Sequence, residues 1–421
     1  MRLHAHIAIM KLKIGNERKD CMESNYKKTM YACFTGYIVQ AIVNNFVPLL
    51  FVTFQKSYKI PLSEITVLIT VNFMVQLLVD LLSAGFIDRI GYRASIILAH
   101  IFSAAGLVLL TVLPELFGNA FWGIAVSVII YALGGGLIEV LVSPIMEACP
   151  TDNKEKAMSL LHSFYCWGHM GVVLLSTAFF AIFGIENWKI LTLLWVLIPV
   201  ANIFLFANAP ICSLNEEEEK GLTAKELFSQ KIFWIFMLMM MCAGASEQAV
   251  SQWASTFAEQ GLGISKTAGD LAGPMAFAAL MGTARLIYGK YGDKFDLNRF
   301  MKYSCILCIA SYLCIAFVPV PVLGLTGCAV CGFSVGILWP GTFSKASASV
   351  QGGGTLMFAM LALAGDLGCS GGPTLAGFVA GSLNNNLRMG ILAAVVFPVL
   401  LLAGVVRSMS LKNKTKGETY R

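Results

Sequence analysis

The chain consists of long apolar runs, each about 20 residues or more in length, separated by short polar connections. A helical run of that length crosses the roughly 30 Å hydrocarbon core of a bilayer, since each residue adds about 1.5 Å. The core of a soluble domain would be built from shorter runs. The pattern therefore predicts twelve transmembrane helices, at residues 29–54, 62–86, 94–113, 121–147, 157–183, 188–208, 232–258, 268–289, 300–317, 320–343, 353–380 and 387–406.

The longest polar stretch away from the termini separates the first six runs from the last six. It contains four consecutive glutamates, Glu216 to Glu219. The expected fold class is therefore an all-α integral membrane protein made of two pseudo-symmetric six-helix bundles. The expected parts are a tail at 1–28, a bundle at 29–208, a linker at 209–231, a second bundle at 232–406 and a tail at 407–421.

Composition is that of a membrane protein. Hydrophobic residues make up 57% of the chain and charged residues 13%, with a mean hydropathy of +0.73, whereas a soluble domain carries about 25% charged residues. The net charge is +6, but the basic residues lie in the connections and tails, so no nucleic-acid partner is expected. Because cytoplasmic loops collect Lys and Arg, both tails and the linker are expected to be cytoplasmic. We expect a monomeric, multi-pass protein of the plasma membrane, surrounded by lipid, whose chain starts at Met1 or at Met22.

A similar polar loop follows the second run of each half. The first is Ala84-Gly-Phe-Ile-Asp-Arg-Ile-Gly-Tyr-Arg93, and the second is Gly289-Lys-Tyr-Gly-Asp-Lys294. The first loop resembles the G-x-L-x-D-R-x-G-R-K motif of the major facilitator superfamily, with Ala84 in place of the leading glycine. The resemblance implies a cytoplasmic gate held by pairs of opposite charges, formed by Asp88, Arg89, Gly91, Arg93, Asp293 and Lys294. The alternative is a loop whose basic residues only set the topology.

Three further segments resemble the fucose, galactose and glucose symporter branch of that superfamily. The fourth run contains Gly134-Gly-Gly-Leu-Ile-Glu139, like the branch's G-x-G-x-x-E motif, and the fifth contains Leu161-His-Ser-Phe164, like its Leu-His-x-Phe pattern. The seventh contains Gly244-Ala-Ser-Glu247 with a tryptophan six residues later, similar to the branch's G-x-E followed by Trp, except that the glycine stands one residue earlier. The resemblance implies a carrier for a monosaccharide, moved alone or together with a proton.

One position departs from that branch. Its sugar-proton symporters carry an acidic residue in the first helix just after an Asn-Asn pair, whereas here Asn44 and Asn45 are followed by Phe-Val-Pro48. Because one of the two expected carboxylates is missing, proton coupling stays open at this point.

Carboxylates inside apolar runs are costly to bury, so each is a candidate for function. Glu139 lies about two turns from the inner end of its run, and we expect it to bind substrate and take up a proton. His162 lies at a similar depth on the fifth run, where a Glu-His pair would bind hydroxyls or exchange a proton. The alternatives are a Glu that stabilises helix packing and a His bonded to a backbone carbonyl.

A second group of candidates lies on the seventh run. Glu247 is a further proton site, at the depth expected for the Asn-Asn pair of the first run. Gln248 and Gln252 share a helix face because they are four residues apart. Trp253 would offer its ring to the apolar face of a sugar, or would instead anchor the helix at the membrane interface. The expected substrate-binding residues are Asn44, Asn45, Glu139, His162, Glu247, Gln248, Gln252 and Trp253.

A polar stripe on the second run provides the third proton candidate. Asn72, Gln76 and Asp80 recur every four residues and therefore share a face, and Asp80 would replace the missing first-helix acid. The alternative is a stripe that joins helices near the gate loop. Asp366 and Arg285 are similar intramembrane charges, which we expect to pair with the cytoplasmic gate rather than to contact the substrate.

The remaining sequence points to transport rather than to chemistry. Most of the twelve cysteines lie inside apolar runs without metal-type histidine spacing, so we expect no cofactor, metal or disulfide framework. The sequence also lacks a nucleophile placed with a base, so an enzyme is not expected. The function predicted is a secondary active carrier that moves a small polar organic solute by alternating access. The alternatives are a facilitator or exporter of drugs or metabolites, and a membrane receptor that binds its ligand without moving it.

Overall fold

A computed structural model describes residues 26–150, 154–211, 222–291, 296–350 and 353–418, without the side chains of 83–86, 88, 154–159, 289–290, 354–355 and 411–418. In these residues the secondary structure is helical and contains no strand. Within this described part of the chain, twelve helices are long and apolar enough to cross a membrane, as the hydrophobic runs predict. They are α1 (Lys27–Tyr58), α2 (Leu62–Leu82), α3 (Tyr92–Leu116), α4 (Ala120–Ala148), α5 (Leu160–Phe183), α6 (Ile185–Asn208), α7 (Lys231–Gly261), α8 (Lys266–Tyr288), α9 (Leu297–Phe317), α10 (Pro321–Ser349), α11 (Leu356–Ser382) and α12 (Leu387–Ser410).

Several helices extend beyond their apolar runs. The helix of α2 continues to Ile90, and that of α10 ends at Ser349, six residues later than predicted. The difference arises because backbone hydrogen bonding does not need apolar side chains, so a helix can continue through polar and small residues. Near the end of α10, Lys345 Nζ donates to Asn298 Oδ1 of α9 at 2.5 Å, which ties this polar extension to its neighbour.

The helix pairs of the first half recur in the second half, six helices later. Helix α1 packs on α5 as α7 packs on α11, and α3 packs on α4 as α9 packs on α10. The pairs α3 with α6 and α9 with α12 repeat in the same way. Between the halves, α2 packs on α11 and α5 packs on α8. The structure is therefore two pseudo-symmetric six-helix bundles, and the bundle bounds at residues 208 and 232 stay a prediction.

The molecule has two ends along the helix axes, a terminal end and a loop end. At the terminal end, Thr29 Oγ1 at the start of α1 donates to Pro210 O after α6, at 2.5 Å. The loop end is the opposite one, where α1 ends at Tyr58 and α11 ends at Ser382. The linker segment Glu216 to Glu219 lies outside the described residues.

After that segment the linker forms a short helix, Ala224–Ser229, closed by a capping box. The backbone N–H of Thr223 donates to Glu226 Oε2 at 2.8 Å, and the Thr223 hydroxyl donates to the same carboxylate. These two hydrogen bonds lower the pKa of Glu226. The cap fixes where the chain turns into α7.

Helices α7 and α11 approach each other through glycine. A Cβ added at Gly368 would lie 1.8 Å from the carbonyl oxygen of Met241, and one added at Gly372 would lie 2.3 Å from that of Ala245. Any side chain at these two positions would clash, so only glycine permits this separation. The close approach is favourable because membrane helices gain attraction mainly from close packing. Met241 and Ala245 of α7 are thereby held against α11.

Candidate functional site

A network of buried amides and one carboxylate joins α1, α2 and α4. Gln40 Nε2 donates to Glu139 Oε2 at 2.9 Å and to Gln76 Oε1 at 3.1 Å. Gln76 Nε2 in turn donates to Asn44 Oδ1 at 2.8 Å, and Asn72 Nδ2 donates to the same oxygen at 3.3 Å. The amides of the polar stripe predicted on the second run, Asn72 and Gln76, therefore face α1 and bond to side chains there.

The second half carries an ion pair. Arg285 Nη2 of α8 lies 3.4 Å from Glu247 Oε2 of α7, with the arginine side chain 18% exposed and the glutamate side chain 10% exposed. Gln248 Nε2 donates to the other carboxylate oxygen of Glu247 at 3.3 Å. Arg285 Nη1 also reaches across to Cys166 Sγ of α5, at 3.2 Å. The guanidinium thus contacts both halves of the molecule.

The two networks meet where α1 and α7 are interrupted. Pro48 lacks an N–H, so it cannot donate to the carbonyl of Asn44 four residues earlier, and the regular helix ends at Asn45. Gln252 Nε2, at the end of the regular helix in α7, donates to that Asn44 carbonyl at 3.1 Å. Gln252 Nε2 also donates to Gln248 Oε1 at 3.0 Å. A chain of hydrogen bonds consequently runs from Glu139 to Arg285 across the two halves.

Four contacts between the halves close the site toward the loop end. Lys56 Nζ forms an ion pair with Glu259 Oε1 at 2.7 Å, and Thr70 Oγ1 is hydrogen-bonded to Thr374 Oγ1 at 2.5 Å. Two further contacts are Gln260 with Gln55 at 3.1 Å and Lys266 Nζ over the ring of Phe180 at 5.9 Å. By contrast, His162, which lies nearer the terminal end, is exposed, and Glu139 and Arg285 are partly exposed.

Two residues predicted to bind substrate have other neighbours in this conformation. Glu139 is bonded to Gln40 instead of His162, whose ring lies 5.4 Å from that of Tyr37. Trp253 is fully buried, with its Nε1 donating to Pro373 O at 2.9 Å and its ring beside Phe51, so it offers no face to a solute in this conformation. Trp253 follows the end of the regular helix in α7, and its side chain packs between α1 and α11.

Two arginines predicted at the gate contact other groups in this conformation. Arg285 pairs with Glu247 at mid-depth. Arg93 donates to the carbonyl oxygens of Phe206, Ala207 and Ala209, at 2.7 to 2.8 Å, and so caps the end of α6 within its own half.

Two other gate candidates, Gly91 and Arg89, lie around the turn from α2 to α3. Gly91 has a φ of +82°, which favours glycine at this turn. Arg89 is exposed. The Asp88 side chain and residues Asp293 and Lys294 lie outside the described residues.

Asp366 of α11 is buried. Helix α11 packs on α2, the helix that carries Asp80. Asn44, Asn45, Gln248 and Gln252 are buried within the polar network, as are the amides around them.

Four residues of the site were not identified from the sequence. Gln40 precedes Asn44 by four residues, a spacing that would have placed both on one helix face. Tyr165 follows the Leu-His-Ser-Phe segment directly, and Asn45 Nδ2 donates to its hydroxyl at 3.4 Å. The pair of Lys56 and Glu259 had no signal in the sequence, since its members come from different halves. Within the described part of the chain, no group of three or more His, Cys, Asp or Glu is arranged to hold a metal ion.

The fold and this cross-half site define a membrane carrier built from two repeated bundles. The family model of the Major Facilitator Superfamily matches residues 32–373. The chain belongs to the major facilitator superfamily. No curated protein sequence matches it significantly.

Solved structures share the fold at low sequence identity. The E. coli fucose:proton symporter is 14% identical, with a TM-score of 0.62 over 91% of this chain and 99% of that one. A D-xylose-proton symporter is 14% identical, with a TM-score of 0.72 over 91% and 97%. A bacterial homolog of the human lysosomal transporter Spinster, inward-facing and unoccupied, is 14% identical, with a TM-score of 0.73 over 92% and 97%. At these identities the likeness concerns the fold alone.

Proposed function

We propose that this transporter carries a small, hydroxyl-rich solute, a monosaccharide, bound between the two halves and moved by alternating access. The observation that carries the proposal is the chain of polar side chains from Glu139 to Arg285, contributed by both halves at mid-depth. A solute bound there would contact both bundles at once. Its binding would therefore depend on how the two bundles are arranged.

The chemistry of the network favours a neutral, hydroxyl-rich solute. Amides and carboxylates present both donors and acceptors, which suits hydroxyl groups that do both. The positive charge of Arg285 is already balanced by Glu247, so the ion pair can bind hydroxyls without needing a charged solute. The two sugar symporters with the same fold agree with this substrate class.

Alternating access follows from the unequal ends of the interface. The loop-end contacts, such as Lys56 with Glu259, separate when that end opens. Closing the terminal end would then bury His162, which is exposed in this conformation. With the predicted orientation, the present conformation opens toward the cytoplasm.

Proton coupling would be provided by Glu139. Its carboxylate is held by one amide donor from Gln40 and has no ion-pair partner among the described residues, unlike Glu247. A carboxyl group in such a place can be neutral or ionised depending on which side of the membrane it faces. Uptake would then be driven by an inward proton gradient.

The test is uptake into proteoliposomes by the purified protein. A thermal-shift panel of aldohexoses, pentoses and 6-deoxyhexoses selects the solute, and its labelled form is offered with and without an inward proton gradient. We expect uphill uptake with the gradient in wild type, and only downhill exchange in Glu139→Gln. Gradient-driven accumulation that persists in Glu139→Gln would refute its coupling role. Downhill exchange without accumulation in wild type would identify a facilitator.

A further inference from the structure

The guanidinium of Arg285 is held by groups from three other helices. Its Nη2 pairs with Glu247 of α7 at 3.4 Å, and its Nη1 donates to Cys166 Sγ of α5 at 3.2 Å. The third contact is made by Nε, which donates to the backbone carbonyl oxygen of Gly336 in α10 at 3.3 Å. Because the N–H groups of a guanidinium point in fixed, different directions, these three contacts together set its position and its plane.

The carbonyl of Gly336 is available to Arg285 because of a proline. In a regular α-helix this oxygen would accept from the N–H of residue 340. Residue 340 is a proline and has no N–H. The regular helix of α10 accordingly ends at Val335 and resumes at Leu338.

Close packing of α8 on α10 brings Arg285 within reach of that oxygen. A Cβ added at Gly336 would lie 2.8 Å from the carbonyl oxygen of Met281 and 2.9 Å from Ala284 Cβ. Gly336 itself is buried. A buried carbonyl without a donor is costly, so the hydrogen bond from Arg285 stabilises the break in α10 while it orients the guanidinium.

An equivalent arrangement lies in α1. Pro48 leaves the carbonyl of Asn44 without its helical donor, and Gln252 Nε2 of α7 donates to that oxygen at 3.1 Å. In both helices a carbonyl freed by proline holds a polar side chain that belongs to the proposed solute site. The two prolines thus have a common effect beyond bending their helices.

We propose that Pro340 is a positioning residue for Arg285, because it keeps the Gly336 carbonyl free to orient the guanidinium toward the solute. The inference rests on the proposed function, in which the ion pair of Arg285 binds hydroxyl groups. An alanine at position 340 would donate to Gly336 O, since Gly336 (φ −53°, ψ −33°) and Ile337 (φ −92°, ψ −17°) already have helical angles. Arg285 would then lose the anchor of its Nε.

The first test is hydrogen exchange of the Arg285 Nε–H, followed by NMR of the whole protein in lipid nanodiscs without any solute. Arginine is labelled with ¹⁵N at Nε, and the signal of Arg285 is identified by its absence in Arg285→Lys. Exchange should be slow in wild type and about tenfold faster in Pro340→Ala, as the loss of one hydrogen bond to a charged group implies. Pro199→Ala, at a proline inside α6, is the matched control and should leave this exchange unchanged.

The second test compares sugar affinity with stability. Pro340→Ala should weaken binding of the monosaccharide about tenfold through the same lost hydrogen bond. Its melting temperature should stay equal or rise, because alanine restores a helical hydrogen bond that proline cannot make. A proline with a purely structural role would instead lower the melting temperature and leave the Nε–H signal of Arg285 as it is.

Three outcomes would overturn the proposal. They are fast exchange of the Arg285 Nε–H in wild type, unchanged exchange in Pro340→Ala, and faster exchange in that variant with unchanged sugar affinity. Pro340→Ser restores the same N–H and replaces the alanine variant if that one does not fold. If neither folds, the wild-type signal decides, because the proposal requires it to exchange slowly. A wild type that binds no sugar refutes the proposed function alone, since the exchange measurement involves no solute.

Discussion

Helices α1 and α7 occupy equivalent places in the two bundles, and each is interrupted at mid-depth, yet their polar groups differ. In α1 the break is caused by Pro48 and exposes a backbone carbonyl, while the side chains beside it are amides. In α7 the break follows Gln252, and the side chains before it include a carboxylate in an ion pair. The same kind of helix interruption thus has a different role in each half. Helix α1 supplies neutral hydrogen-bonding groups, whereas α7 supplies the charge that would hold a solute.

The largest effect is expected from breaking the ion pair of α7. Glu247→Gln or Arg285→Gln leaves a poorly solvated charge without its partner, which costs about 3–5 kcal/mol of stability. We expect a lower melting temperature and no transport in either single variant. Measurement of unfolding in detergent and of uptake in proteoliposomes separates the two effects.

The double variant Glu247→Gln/Arg285→Gln sharpens this expectation. With both charges absent, stability should return toward wild type, but transport should stay lost because the solute has lost its contacts. Glu186→Gln, at an exposed glutamate near the start of α6, is the matched control and should leave both quantities unchanged. Normal transport by the double variant would show that the ion pair is not part of the solute site.

The second effect concerns the packing of the two interrupted helices on their partners. Gly368→Ala places a methyl group 1.8 Å from a carbonyl of α7, so the helices have to separate, at a cost of about 3 kcal/mol. In the equivalent pair α1 with α5, Gly168→Ala meets Ala41 Cβ at 3.0 Å and should cost less. Gly371→Ala, with open space around it, should cost nothing. Melting temperatures that fall in any other order would show that the two halves are not packed as described.

A smaller effect is expected at the junction of α1 and α7. Gln252→Leu leaves the Asn44 carbonyl without its donor, and an unsatisfied buried acceptor costs about 1–3 kcal/mol. Gln260→Leu removes a second glutamine contact between the same helices, but near the exposed loop end, and serves as control. We expect Gln252→Leu alone to lower both the melting temperature and the transport rate. Equal losses in the two variants would contradict a special role for the helix break.

The smallest effect is expected at the loop-end ion pair of Lys56 and Glu259. The lysine side chain is 72% exposed, and exposed pairs contribute about 0–1 kcal/mol. Lys56→Ala should leave the melting temperature unchanged within error. It should increase the alkylation of cysteines introduced between the loop end and mid-depth. The charge swap Lys56→Glu/Glu259→Lys should restore the wild-type rate of alkylation. No change in alkylation for either variant would show that this pair does not close the site.

The helices could be predicted from the sequence because membrane insertion requires long apolar runs, which are local features. The bounds of α10 were less accurate, because its last turns are polar and small. The closeness of α7 to α11 could not be derived from the glycines alone, since it depends on which face of each helix meets its partner. That choice is made by packing between segments more than 100 residues apart.

The sequence predicted most residues of the site, but few of the contacts between them. Asn44, Glu139, Glu247, Gln248 and Gln252 all lie in one network, because buried polar groups in a membrane need one another. Their partners were not predictable, since Gln40 meets Glu139, and Arg285 meets Cys166, on helices distant in the sequence. Trp253 illustrates the same limit, because its burial depends on Pro373 and Phe51.

The most direct test of a solute site shared by both halves is counterflow of a labelled monosaccharide in proteoliposomes preloaded with the unlabelled sugar. Wild type and Glu186→Gln should accumulate label transiently, and Glu247→Gln should not. Counterflow requires that one site be reached from both sides of the membrane. Binding of the sugar to the purified wild type without any entry of label would contradict transport and indicate a receptor.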